Sequence, residues 1–275
     1  MMERIRLRRI LALALPIIGG MTSQNVLNLV DTAMVGTLGN AALAAVGLGG
    51  FATFMCMALI LGISTGVQAM SSRRKGAGNF SETAIPLNAG LLMVLLAAPF
   101  LSAVVCLLVP YFYPYLNSDP EVIAAGVPYL QVRVAGIIFI GMNFAFRGFW
   151  NAIDRSSVYM MTLLIMHSSN ILFNYIFIFG NFGAPAMGAT GAALGTVVST
   201  ALGCAIYFFL AMRQARQQGF LRGLPMRAEI KDLFRLSLPS GIQQLFFASG
   251  FVVTYWIIGL VGTRELAAAN VLINV

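Results

Sequence analysis

The sequence predicts an all-α membrane protein: a six-helix transmembrane lobe followed by the first helix or two of a second lobe, related to it as a parallel repeat. Three observations carry this. First, 59% of the 275 residues are hydrophobic and only 9% are charged, with a mean hydropathy of +0.86, whereas an ordinary soluble domain is about 25% charged. Second, apolar runs long enough to cross a hydrocarbon core of about 30 Å, roughly 20 helical residues each, recur along the whole chain. Third, basic residues crowd into alternate connections between those runs, as the positive-inside rule requires. A chain this poor in charge cannot cover its surface in water. That excludes a soluble enzyme, a disordered tail and a nucleic-acid-binding domain, and the net charge of +8 is topological.

The spans follow in order. Span 1, Ile10–Val35, comes after Arg4, Arg6, Arg8 and Arg9. It resembles a signal peptide at its start, but it runs on through Gln24, Asn28 and Asp31 without a cleavage site, so it is expected to be retained. Span 2, Ala45–Met70, is followed by Arg73, Arg74 and Lys75. Span 3, Ile85–Pro110, leads into Tyr111–Glu121, whose only charges are acidic. Spans 4 and 5, Val122–Phe146 and Val158–Gly180, are joined through Arg147 and Arg155. The uncharged stretch Asn181–Gly191 leads to span 6, Ala192–Met212. Arg213, Arg216, Arg222, Arg227, Lys231 and Arg235 then lie between or flank spans 6 and 7, the latter at Leu233–Leu260; an eighth opens near Glu265. Of the 17 Lys and Arg, only Arg133 and Arg264 fall off the basic side. The expectation is a multi-pass protein of the inner (plasma) membrane with a cytoplasmic N-terminus. Cys56, Cys106 and Cys204 lie inside apolar stretches without disulfide or zinc spacing.

Span 7 repeats span 1. At a constant offset of 223 residues, Leu13, Leu15 and Pro16 match Leu236, Leu238 and Pro239; Gly36 and Gly39 match Gly259 and Gly262; and Leu43, Ala44 and Ala45 match Leu266, Ala267 and Ala268. The offset holds an even number of crossings, so both copies run the same way through the membrane, as in parallel-repeat transporters. Residues 1–222 are therefore expected to form the N-terminal lobe and 223–275 the linker and opening of a second, incomplete lobe. The expected whole is about twice the 223-residue unit.

Asp31 is the one acid of nine that falls deep in a span. A charge at the bilayer centre costs about 2.5–3.5 kcal/mol on insertion scales, which makes it a functional candidate: a proton carrier or a ligand for sodium. Gln24, Asn28 and Asp31 form one polar stripe at i, i+4, i+7, with Asn25 beside it. His167, Asn170 and Asn174 form a second in span 5. Both must face an interior, because lipid would strand them. Gluing helices together is the structural alternative for the amides, and a satisfied interior histidine is the alternative for His167. Arg133, inside span 4, is expected to make an inward pairing or to act near Asp31. Gly62/Gly66 and Gly191/Gly195 have the GxxxG spacing of closely packed helices. Pro16 and Pro239 start or bend their helices. Gly62-Ile63-Ser64-Thr65-Gly66 also fits GxSxG, so a remote alternative is an intramembrane serine hydrolase using Ser64 with His167; the required strand-to-helix elbow has no counterpart here. No zinc-protease, P-loop or dinucleotide fingerprint is present in the sequence.

Several motifs, in order along essentially the whole chain, resemble the multidrug and toxic compound extrusion (MATE) family. They are Asn28-Leu-Val-Asp31-Thr32 followed by Gly36, Arg73-Arg-Lys-Gly-Ala-Gly78, Arg147-Gly-Phe-Trp-Asn-Ala152, Asn170-Ile-Leu-Phe-Asn-Tyr-Ile-Phe-Ile-Phe-Gly180 and Gly188-Ala-Thr-Gly-Ala-Ala-Leu-Gly-Thr196. The resemblance implies a twelve-helix antiporter of two six-helix lobes that expels organic, often cationic, compounds in exchange for Na+ or H+. It implies that Asp31 binds the coupling ion, and is the metal ligand if that ion is sodium, with Asn170 and Asn174 lining the same cavity. Gln24, Asn28, His167 and Thr196 are the candidate lining of the substrate cavity. Some branches carry an acid where this chain has Asn174, and others carry one in span 7, where this chain shows Gln243, Gln244 and Thr254; Asp31 is left as the sole visible acid. The expected partners are small organic substrates, the bilayer and the C-terminal lobe, with no nucleic acid and no cofactor beyond the coupling ion. A flippase for a lipid-linked precursor is the alternative, and it calls for a more cationic cavity to hold pyrophosphate.

Overall fold

The computed structural model describes residues 2–274, except the side chains of residues 2–10, 12, 13 and 274. The basic cluster Arg4, Arg6, Arg8 and Arg9 therefore lies outside the described side chains. The described residues form α1 (Met2–Gly36), α2 (Asn40–Gly76), α3 (Ile85–Leu116), α4 (Pro120–Ala135), α5 (Ile137–Ala152), α6 (Ser156–Phe179), α7 (Gly188–Gln214), α8 (Arg227–Val261) and α9 (Thr263–Asn274), joined by short turns. Among them, α2, α3, α6, α7 and α8 are each long and apolar enough to cross a membrane, and α4 with α5 makes a bent sixth. Spans 2 to 7 are thus recovered. Span 1 falls in α1, whose opening side chains lie outside the description.

Span 4 is corrected. The single helix expected over Val122–Phe146 is two helices meeting at 48°. The break sits at Gly136, where a Cβ would come within 2.5 Å of Val197 on α7. The bend lets α7 press against bare backbone, and the apolar sequence runs through it without another signal. Elsewhere the ends follow local chemistry. Asp119 caps α4 by accepting from the Glu121 N–H at 2.9 Å, with Pro120 in the first turn. Gly180, at φ 75, terminates α6 in the left-handed region that a Cβ disfavours.

Glycine spacing sets two close crossings. On α2, a Cβ at Gly62 would stand 2.3 Å from the Ser237 carbonyl oxygen, and one at Gly66 would stand 2.3 Å from Ser237 Oγ, so α8 lies directly on α2. Phe51 stacks on Phe251 at 4.6 Å higher up the same seam. On α7, Gly191 faces the Phe177 carbonyl and Gly195 faces Asn174 of α6. The break before α2 at Gly39 and the break before α9 at Gly262 stand at the 223-residue offset of the sequence repeat. At one end of the bundle Phe146 packs against Tyr207, Phe208 and Phe220, all but Phe208 fully buried. The loop after α7 is pinned to α3 by Asn88, which donates to the Gly219 carbonyl at 2.9 Å and accepts from the Leu221 N–H at 3.0 Å. All three cysteines are free.

Candidate functional site

Packing of α1 against α6 brings the two polar stripes face to face beside a cavity of about 640 Å³. Asp31, Asn28, Gln24, His167, Asn170 and Thr196 all line it. Neither stripe is left to lipid.

The contacts are specific. Asn174 Nδ2 donates to Asp31 Oδ1 at 2.8 Å. Asn170 has one amide orientation that satisfies both of its ends. In it the NH2 donates to Asp31 Oδ1 at 3.1 Å, while the oxygen accepts from the Thr196 hydroxyl at 3.2 Å and the Ser199 hydroxyl at 3.3 Å. Two amides thus hold one carboxylate oxygen. Asn174 is fully buried behind Asp31 and does not line the cavity; its own carbonyl oxygen has no partner.

Along the same groove His167 bridges to α1. Gln24 Nε2 donates to Asn28 Oδ1 at 3.0 Å, which leaves Gln24 Oε1 facing His167 Nε2 at 3.2 Å. The acceptor there places the ring proton on Nε2, and Nδ1 then accepts from the Ser23 hydroxyl at 2.7 Å. His167 is therefore a satisfied histidine that also lines the cavity. It is not engaged with Ser64.

The hydrolase alternative is corrected on that ground. Ser64 lies mid-helix in α2, in a segment whose glycines are occupied by α8, and its carbonyl abuts Gly148 of α5. There is no turn to present a nucleophile.

Arg133 needs a correction as well. It lines the cavity near enough for its charge to act on Asp31, yet among the described residues it closes no ion pair, and its Nε is buried without a partner. An inward pairing is not what holds it. Sequence reasoning missed Ser23, Tyr129, Arg147 and Ser199. By its place in the sequence Arg147 belongs to the basic connection after span 4, but its guanidinium reaches the cavity wall, 5.5 Å over the Phe144 ring and 5.2 Å over the Tyr159 ring. Small hydroxyls such as Ser23 and Ser199 leave no mark in an apolar helix. Gln243, Gln244 and Thr254 on α8 are not brought to the cavity lining; Thr254 bonds back to the Gly250 carbonyl.

Bundled apolar helices around a polar chamber define a polytopic helical membrane protein with an internal cavity. The MatE family model matches residues 16–176. The chain belongs to the multidrug and toxic compound extrusion family. It is 30% identical over 271 residues to a probable multidrug resistance protein NorM of Agrobacterium fabrum, covering 95% of this chain and 57% of that protein. A protein of the same description from Pseudomonas aeruginosa is 28% identical over 277 residues, covering 98% of this chain and 56% of the relative. The chain thus spans just over half the length of these curated relatives. In fold it is similar to an inward-facing multidrug resistance MATE family transporter, with a TM-score of 0.81 at 24% identity over 96% of this chain and 60% of that one. An outward-facing member gives 0.78 at 24% identity, covering 97% and 63%.

Proposed function

We propose that this chain supplies the ion-binding half of an antiporter that exports organic, cationic compounds across the inner membrane in exchange for Na+ or H+, with its N-terminus in the cytoplasm. In this reading residues 1–222 form the first lobe and 223–275 the linker and opening of a second. One observation carries it: Asp31, the only acid in the described cavity wall, has its carboxylate held by Asn174 and Asn170 while still facing the chamber. A carboxylate so placed takes up a cation because doing so neutralises a charge that is expensive in the bilayer. Sodium needs several oxygens, and in this reading the Thr196 and Ser199 hydroxyl oxygens, which stand beside Asn170, supply further ligands. A proton needs only the carboxylate. Arg133 competes with either ion for the same negative charge, so occupancy of Asp31 changes what the arginine attracts. The two lobes rocking around the chamber then carry ion and substrate in opposite directions. The description of the curated relatives as probable multidrug resistance proteins supports the substrate class.

Efflux by cells expressing the full reading frame, with sodium and pH gradients imposed separately, tests this. Asp31→Asn abolishes gradient-driven export with normal membrane insertion. Undiminished export by that variant refutes the mechanism.

A second reading has one observation in its favour. Two guanidiniums, Arg133 and Arg147, line the chamber against the single carboxylate of Asp31. That balance suits a flippase handling a pyrophosphate-linked lipid. Reconstituted vesicles that translocate such a lipid, without response to either gradient, decide for it.

A further inference from the structure

A second, smaller cavity of about 370 Å³ lies where the end of α2 meets the start of α8, away from the polar chamber. Its wall is Met70, Arg73, Arg74, Asp232, Arg235 and Leu236: three guanidiniums, one carboxylate and an apolar floor. Arg74 is held in place, paired with the buried Glu229 and donating to the Glu82 carbonyl at 3.0 Å. Arg73 and Arg235 are exposed, and neither forms an ion pair among the described residues. Even with Asp232 and Glu229 counted, the group is positive.

The charge continues along α8. Arg227, Lys231 and Arg235 stand at i, i+4, i+8, one exposed stripe leading into the pocket. Like charges at that spacing oppose the helix, so an anion on the stripe relieves the repulsion. Large apolar side chains accompany it: Leu224 is 88% exposed, Met226 69% and Phe234 52%. A headgroup phosphate would meet arginines while its acyl chains meet these residues and the Leu236 floor. Basic pockets between membrane helices take anionic lipid in this way.

We infer that this pocket binds the phosphodiester headgroup of an anionic phospholipid at the junction of α2 and α8. It holds whether or not the chain exports a solute.

The test titrates a fluorescent phosphatidylglycerol onto the full chain in a neutral detergent. Each guanidinium near an anionic lipid phosphate contributes about fivefold, so Arg73→Gln with Arg235→Gln weakens binding roughly 30-fold. The control pair, Arg213→Gln with Arg216→Gln, removes the same charge from exposed positions outside the pocket and changes binding less than about threefold. Both pairs keep the parental unfolding midpoint, and phosphatidylcholine binds far more weakly than phosphatidylglycerol. Equal loss in the control pair shows a diffuse field and overturns the site. Equal affinity for phosphatidylcholine, or displacement of the lipid by inorganic phosphate at matched concentration, overturns the lipid assignment.

Discussion

Replacing Gly195 by alanine inserts a methyl group where α7 touches the residue that holds Asp31. The new Cβ would lie 2.1 Å from Asn174 Oδ1, 3.2 Å from its Cγ and 3.0 Å from its backbone N. Unstrained heavy-atom contact begins near about 3.5 Å, so the amide oxygen must retreat by more than about 1 Å. Rotating the side chain relieves that contact but breaks the 2.8 Å bond to Asp31. The backbone contact yields only if α6 and α7 move apart. Overpacking of this kind costs about 1–3 kcal/mol. A control sits on the same chamber: Gly50 of α2, where a Cβ meets nothing within 4 Å. Gly50→Ala should be neutral or stabilising by about 0.5–1 kcal/mol, because it reduces the freedom of the unfolded chain. The assay is the unfolding midpoint in detergent, measured with and without saturating coupling ion. Ions that bind only the folded state raise the midpoint, and Gly195→Ala should lower the midpoint while shrinking that rise. If Gly195→Ala matches Gly50→Ala in stability and keeps its full ion response, the support of Asp31 by Asn174 is wrongly assigned.

Other perturbations are equally specific. Arg74→Ala leaves the Glu229 carboxylate buried and alone, a loss of about 3 kcal/mol, whereas Arg74→Leu with Glu229→Leu recovers most of it; a double-mutant cycle on unfolding midpoints reads the difference. The Thr263 hydroxyl, then the N–H groups of Glu121 and Val122, hold the Asp119 carboxyl below its usual range. A depressed carboxyl contributes stability that is complete above its ordinary value and lost as pH falls through the lowered one. Protection factors in the first turn of α4, corrected for the intrinsic pH dependence of exchange, should therefore hold at neutral pH and fall on acidification, and Asp119→Ala should remove that fall. Ser64→Ala should leave export intact, since Ser64 is not among the residues lining the chamber; loss of export would reopen its role.

The spans were legible because twenty-residue apolar runs are a membrane requirement, and the stripes because a helix places i, i+4 and i+7 on one face. Asp31, Asn170 and Asn174 could thus be named, and their hydrogen bonds follow once α1 lies on α6. The GxxxG pairs Gly62/Gly66 and Gly191/Gly195 likewise marked true close crossings, but the sequence did not say which helix each would meet. What stayed hidden was tertiary. The 48° bend at Gly136 depends on Val197 of another helix, and nothing in the surrounding apolar run marks it. Arg147 was assigned to a connection by its place in the chain, although its long side chain reaches back to the chamber over aromatic rings. For Arg133 the sequence allows an inward pairing or a place near Asp31; it lines the chamber with Asp31 and closes no ion pair among the described residues.

The most direct measurement is equilibrium cation binding to the purified protein, reading radioactive sodium retained and protons taken up on the parent and on Asp31→Asn. The parent should bind sodium saturably, or show a carboxyl titration that Asp31→Asn lacks, while Glu265→Gln, a change at an acid that does not line the chamber, keeps that sodium binding or titration. Saturable binding that survives the loss of the Asp31 carboxylate would place the ion elsewhere and remove the basis for coupling through this residue.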